Sequence, residues 1–215
     1  MKDKIITMEI DLSTIGFEKG KQYETIITTS DSSNKMNAAP IGVICRGPNT
    51  IMCRIFKGRH TLSNIILKRE FTVNICEDPM LFAKSTIGNL DEYEFEKDNS
   101  IKNIDCYFEC EVSDLIEAVK QSDPIRNKSE AIVIKAKVTK LVINNPIKAY
   151  NRSFGLIIES LVNFSRIDIV DEETQKYYLD RFKEANRIIK KVGSKKDRES
   201  MVEIKNKLIE KGYDI

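Results

Sequence analysis

The chain has 215 residues, enough to bury a sizeable core in one large domain or two modest ones without help from disulfides. Charged residues make up 32% and hydrophobic ones 41%, yet the formal net charge is only +2. That near balance gives no reason to expect a nucleic-acid or membrane partner, and no apolar run approaches the ~18 residues of a membrane helix.

Met1-Lys2-Asp3-Lys4 is charged, and the apolar residues after it alternate without forming a signal-peptide core, so a cytoplasmic protein is expected. The five cysteines, Cys45, Cys53, Cys76, Cys106 and Cys110, fall in strand-like apolar runs and read as small buried hydrophobes of a reducing compartment. On a strand, Cys106 and Cys110 are ~13 Å apart at ~3.3 Å per residue, too far for one metal or one disulfide. With a single histidine in the chain, no metal site is expected.

In chain order, residues 4–10 alternate as a strand, residues 16–20 form a turn, and residues 23–29, rich in Thr and Ile, form a second strand. Residues 28–37 are almost all small or polar and read as a connection. Asn37-Ala38-Ala39-Pro40 then leads into a strand at 41–45. Pro40 pushes Ala39 to an extended backbone, and two successive alanines leave main-chain N–H groups open to a flat polar ligand. An ordinary polar loop before a strand fits the same residues.

Arg46-Gly47-Pro48-Asn49 is a hairpin turn into the β-branched run 50–56. That run breaks at Lys57-Gly58-Arg59-His60, and Thr61 is placed to cap a helix carrying Leu62, Ile65 and Ile66. Arg54, Lys57 and Arg59 lie just ahead of the helix start, whose unpaired N–H groups and positive dipole end suit a phosphate. A solvated basic turn explains the spacing equally well.

Residues 71–76 are the next strand, Asp78-Pro79 stops it, and residues 80–85 are one or two helical turns. The acidic stretch 89–101 reads as an exposed excursion. The longest strands are 104–112 and 131–143, joined by a helix over 113–121 with Ser113 as its cap and Asp123-Pro124 as its stop. Seven or so strands argue for a closed or partly closed β-barrel ending at Asn144-Asn145-Pro146.

Thereafter the period changes. Phe154, Ile157, Ile158, Leu161 and Val162 keep helical spacing, as do Tyr178, Phe182, Ala185, Ile189 and Val192. Gly193 suits the residue after a helix end. Ser194 with Asp197 resembles a capping box for a third helix carrying Met201, Ile204 and Leu208 and ended by Gly212. Residues 176–215 hold 12 Lys or Arg against 7 Asp or Glu. The pattern is that of a solvated face, with Tyr177, Tyr178 and Phe182 in the helical core.

Familiar catalytic motifs are absent. Residues 42–47 have the opening spacing of a P-loop, but Pro48-Asn49 replaces its Lys and Ser/Thr. A cysteine nucleophile would have to pair with the lone His60, and the adjacent carboxylates Asp91-Glu92 and Glu172-Glu173 lie in solvated runs.

Taken together, the Asn-Ala-Ala-Pro segment, the apolar hairpin, the Lys57-Gly58-Arg59-His60-Thr61 step into a helix containing Asn64, and the strand Glu-Phe-Thr-Val-Asn-Ile resemble the flavin-reductase-like FMN-binding split barrels. Within them the chain looks most like an archaeal family of unknown function that adds a small C-terminal helical domain. The resemblance implies a mainly β fold with helices: a split β-barrel over 1–146 and a three-helix domain over 147–215. It places Thr29, Ser30, Ser32, Ser33, Asn37, Ala38 and Ala39 along an FMN. Arg54 and Phe56 would run beside that cofactor, and Lys57, Arg59 and Thr61 would approach its phosphate. His60 stands where the commoner flavin reductases carry an acidic residue, and Asn74 matches a strand asparagine of structural role.

The implied activity is oxidoreduction, with electrons passing from NADH or NADPH through FMN to an unknown acceptor, and no side chain as catalytic acid or base. A homodimer with the site between subunits is implied too. An FMN carrier or redox sensor is the alternative, and a nucleic-acid-binding barrel a third.

Overall fold

In β1 (Gln22–Ser30) Tyr23, Thr25, Ile27 and Thr29 turn to one side and Ile26 and Thr28 to the other, and all six are buried. A strand covered on both faces belongs inside a layered structure. The computed structural model describes residues 10–88, 90–120 and 129–215. The strand expected over 4–10 lies almost wholly outside them, as does the Asp123-Pro124 stop.

β1 pairs with β2 (Met36–Gly47), which turns at Pro48-Asn49 into β3 (Thr50–Phe56). With β4 (Glu70–Ile75), β5 (Cys106–Lys120) and β6 (Ser129–Ile143) they close a barrel in the order β1-β2-β3-β6-β5-β4, every pair antiparallel. The interior is filled by Tyr23, Ile27, Val43, Ile51, Ile55, Val73, Phe108 and Ile134, with Cys45, Cys53, Cys106 and Cys110 as free thiols among them. Each such aliphatic side chain contributes about 1.5–3 kcal/mol by leaving water. Leu62 and Ile65 of α1 (His60–Lys68) complete the core from one end.

Six strands form the barrel among the described residues, and the seventh expected one is that over 4–10. Two expectations are corrected. Half of residues 28–37 are strand: Thr28, Thr29 and Ser30 end β1, Met36 and Asn37 begin β2, and 31–35 turn. The helix expected over 113–121 is strand as far as the structure describes it, since β5 continues to Lys120 with Asp114 opposite Lys135 and Ala118 opposite Ala131. Helix-forming residues there yield to a register with β6, re-phased by a bulge between Val112 and Asp114.

A second cluster lies on the outer face of β1 and β4, where Ile26, Cys76, Phe95, Ile101, Ile104 and Tyr107 pack with Leu81 and Phe82 of α2 (Pro79–Ile87). The acidic stretch is therefore no exposed excursion: Phe95, Ser100 and Ile101 are buried. Barrel side chains hold its main chain. Thr28 Oγ1 donates to Asn99 O at 2.5 Å, Thr72 Oγ1 to Asp98 O at 3.3 Å, and Ile101 N–H to Asn74 Oδ1 at 2.9 Å. Asn99 and Asn103 take the positive φ values the turns require, 63° and 58°.

The first compact unit runs to Tyr150 and the second spans Asn151–Ile215. The division falls beyond the Asn144–Pro146 punctuation because Ala149 N–H donates to Ile15 O and Glu24 N–H to Tyr150 O, both at 2.9 Å. The second unit packs α3 (Ser153–Arg166), α4 (Glu172–Val192) and α5 (Lys195–Glu210) around Ile157, Ile167, Phe182, Ala185, Ile189, Met201, Ile204 and Leu208. Ser194 and Asp197 form a reciprocal capping box. Gly193 is extended (φ −81°), and it excludes a side chain because a Cβ would lie 2.8 Å from Ile189 O. Tyr177, expected in the core, is 55% exposed and lies against Arg181. No helix among the described residues is long and apolar enough to cross a membrane.

Candidate functional site

β2 and β3 pair only between Val43/Cys53 and Gly47/Thr50, whereas β2 stays on β1 to Ser30/Met36 and β3 stays on β6 to Phe56/Ala131. Among the described residues the barrel therefore opens between 36–42 of β2 and 54–56 of β3. Cys45 N–H donates to Lys21 O and Cys45 O accepts from Gly20 N–H, so odd-numbered β2 positions direct their main-chain groups at β1. By the two-residue alternation of an antiparallel strand, Ala38, Pro40 and Gly42 direct theirs into the opening. Proline is tolerated within this strand because no neighbour there asks for its N–H. Gly42 admits no side chain either, since a Cβ would fall 2.2 Å from Gln22 Nε2. Ala38, Ala39 and Pro40 are half-buried, and the edge they form is bare backbone.

Across the opening, Ile51, Cys53 and Ile55 of β3 point into the core, which turns Arg54 and Phe56 to the other face. The Arg54 guanidinium carbon sits 5.7 Å from the centre of the Phe56 ring, itself 44% exposed. Arg54 Nε is buried and has no hydrogen-bond acceptor among the described residues.

Two side-chain pairs fix α1 beside this edge. Thr29 and Asn37 are cross-strand partners; Asn64 Nδ2 donates to Thr29 Oγ1 at 3.1 Å, and Asn37 Nδ2 donates to Thr61 Oγ1 at 3.0 Å. Thr61 and Asn64 are three residues apart and share one face of the helix. Thr61 is therefore not the N-cap: Arg59 occupies that position with an extended backbone and no side-chain cap, and the buried Thr61 hydroxyl serves the β-hairpin. The pairing of Asn64 was illegible as long as 28–37 read as a loop.

The remaining predicted residues divide. Arg59 and His60 are exposed at the start of α1, beside the N–H groups that helix geometry leaves unpaired. Lys57 is occupied: its Nζ lies 3.0 Å from Glu117 and 3.6 Å from Glu130, and the hydrogen bond to Glu117 raises its pKa. Ser30 ends β1, and Ser32 and Ser33 sit in the hairpin tip. There Asp31 Oδ1 accepts from Ser33 N–H, Ser33 Oγ and Lys35 N–H. Lys68 Nζ reaches Asn34 Oδ1 at 3.1 Å, which sets the tip at the far end of α1 from Arg59. A nine-residue helix is ~13 Å long. One copy of the chain thus gathers Ala38, Ala39, Arg54, Phe56, Arg59 and His60 around the opening and leaves Ser32 and Ser33 apart.

A cavity of about 700 Å³ opens elsewhere, between the 96–104 segment and Tyr107, Asn144 and Asn145. Tyr107 O–H donates to Asp98 at 2.5 Å, and Lys140 reaches Glu109 at 2.8 Å and Asp98 at 3.5 Å. Burial pushes the Asp98 carboxyl up, but hydrogen bonds from Tyr107 and Ser100 and the charge of Lys140 outweigh it and hold the pKa at about 2. There Asp98, Ser100, Tyr107 and Lys140 already satisfy one another, whereas the barrel opening keeps an unpaired strand edge and, among the described residues, a buried guanidinium Nε without an acceptor. That combination fits a flat hydrogen-bonding ring with an anionic tail.

A barrel opened along one seam, with a helix at the opening and a helical unit after it in the chain, is a split β-barrel. Residues 23–145 match the family described as "Protein of unknown function (DUF447) N-terminal domain", and residues 151–206 its C-terminal counterpart. The chain belongs to this DUF447 family.

It is similar to the uncharacterised protein MJ1453 of Methanocaldococcus jannaschii, 28% identical over 180 residues, which are 81% of this chain and 92% of that protein. Among solved structures it is similar to the FMN-bound DUF447 protein MM1853 of Methanosarcina mazei. Identity there is 25% and the TM-score 0.51, over 91% of this chain and 99% of that one. The styrene monooxygenase flavin reductase of Pseudomonas putida, at 13% identity and TM-score 0.47, covers 58% of this chain and 82% of its own; it is too remote to carry an argument.

Proposed function

We propose that the chain is an FMN-binding oxidoreductase that takes electrons from a nicotinamide cofactor and passes them to a further acceptor. The observation that carries the reading is the unpaired β2 edge across the opening from the strand of Arg54, whose buried Nε has no acceptor among the described residues, in a family with an FMN-bound member. FMN would supply the two-electron chemistry. The Ala38–Gly42 main chain would offer donors and acceptors to the ring, Phe56 an apolar wall, and Arg59 with the first N–H groups of α1 a seat for the phosphate. His60 stands beside that seat. Thr29, Asn37 and Thr61 hold the frame through their own hydrogen bonds.

In a homodimer, Ser30, Ser32 and Ser33 of one copy would reach the opening of the other. That arrangement reconciles the separated halves of the predicted site. We assign the protein to the cytoplasm on its reduced, buried cysteines.

The test is the visible spectrum of the purified protein with and without added FMN, followed by anaerobic addition of NADH and NADPH. Bound FMN bleached by either nucleotide is the expected result. Bound FMN that stays oxidised removes the nicotinamide step and leaves a carrier or sensor. A protein that takes up no FMN removes the reading altogether.

A further inference from the structure

Arg54 carries an inference that rests on the FMN reading but goes beyond it. Burying one of the N–H groups of a guanidinium without an acceptor costs free energy. Nothing among the described residues supplies that acceptor. Val133 of β6 stands beside Arg54 on one flank, and on the other β2 has already parted. Arg54 therefore stands on the strand margin that borders the opening.

Two parts of a flavin nucleotide accept hydrogen bonds strongly: the phosphate, and the pyrimidine edge of the ring at N1 and C2=O. Their surroundings differ. A phosphate is doubly charged and heavily hydrated, and the exposed corner at Arg59 and His60, at the start of α1, suits it. Arg54 is five residues earlier in a strand that borders the opening and half-buried, with its Nε shut off from water and its guanidinium beside the Phe56 ring. A dry position flanked by bare backbone suits a ring edge.

We propose that Arg54 donates its Nε–H to the pyrimidine edge of the flavin ring, making it the residue that selects the ring and tunes its electron affinity, while Arg59 serves the phosphate. A cation at that edge favours the electrons added on reduction, so the bound flavin's midpoint potential depends on Arg54.

The experiment compares FMN with riboflavin, which lacks the phosphate, in binding titrations of wild type, Arg54→Gln, Arg54→Lys and Arg59→Gln. Arg54→Gln is expected to weaken both flavins by the same factor, on the order of tenfold to a hundredfold, the value of one hydrogen bond to a charged group. Arg54→Lys keeps the charge but not the planar fork and should recover part of the loss. Arg59→Gln should weaken FMN and leave riboflavin unchanged. Dithionite titration of the FMN-loaded proteins should show a more negative midpoint potential in Arg54→Gln than in wild type.

Loss of FMN affinity alone in Arg54→Gln would place Arg54 on the phosphate and overturn the proposal. Unchanged binding of both flavins with an unchanged potential would overturn it as well. Circular dichroism separates either result from misfolding, and a folded Arg54→Lys decides the matter if Arg54→Gln unfolds. Wild type that binds neither flavin would fail the FMN reading itself, an outcome distinct from the other two.

Discussion

Asn74 has no solvent exposure, and both ends of its amide are used: Nδ2 donates to Ile26 O and Thr28 Oγ1, and Oδ1 accepts from Ile101 N–H. That makes it a rivet between β1, β4 and the 95–101 segment, the structural role the resemblance implies. Asp98 does similar work at the edge of the same segment, and its chemistry gives a prediction. Its pKa in the folded protein is about 2, below the ordinary 3.8. A depressed carboxyl stabilises the fold above its unfolded pKa, and that stabilisation is lost as pH falls from about 4 toward 2. Urea denaturation of wild type and Asp98→Asn across that range should show the wild type losing more stability on acidification than the variant. Parallel losses would mean that Asp98 is not the group responsible.

At the scale of elements, the lock between the β1–β2 hairpin and α1 decides how substitutions in the opening behave. Replacing Thr61 by Val strands the Asn37 amide in a half-buried place, so Thr61→Val tests the frame as well as the ligand. In a double-mutant cycle, Asn37→Ala and Thr61→Val should couple by about 0.5–1.5 kcal/mol in unfolding experiments. Additive effects would show that the two side chains do not depend on each other. Hairpin β2–β3 was legible because Gly47, Pro48 and Asn49 are local turn chemistry, and α4 and α5 because Phe182, Ile189, Ile204 and Leu208 keep a 3.6-residue period. The distal half of β5 was not. Asp114 to Lys120 prefers a helix by itself, and only partners some twenty residues away in sequence, such as Lys135 opposite Asp114, make it a strand.

Over the whole molecule, the barrel cluster and the helical cluster are separate sets of residues, and the compact units divide at Tyr150/Asn151. All the proposed FMN contacts belong to the first unit. A fragment of residues 1–150 should therefore fold with a β-rich circular dichroism spectrum and bind added FMN with the affinity of the full chain. Loss of binding by a folded fragment would mean that the helical unit completes the site.

Local chemistry determined much of this protein: the turns, the stop at Asp78-Pro79, the cap at Ser194, the alternation of the inner strands, and the change of period that announces the helical unit. The resemblance extended that reading to the order of the motifs around Asn37 and Thr61. Only tertiary structure decided that β2 parts from β3 beyond the Val43/Cys53 pair, that Thr61 belongs to a hydrogen-bonded frame, that Lys57 is taken by Glu117 and Glu130, and that, among the described residues, Arg54 Nε is left without an acceptor. The reason is physical: turns, caps and periodicity depend on neighbours within a few residues, whereas strand pairing and the burial of a polar atom depend on groups that meet only once the barrel has closed.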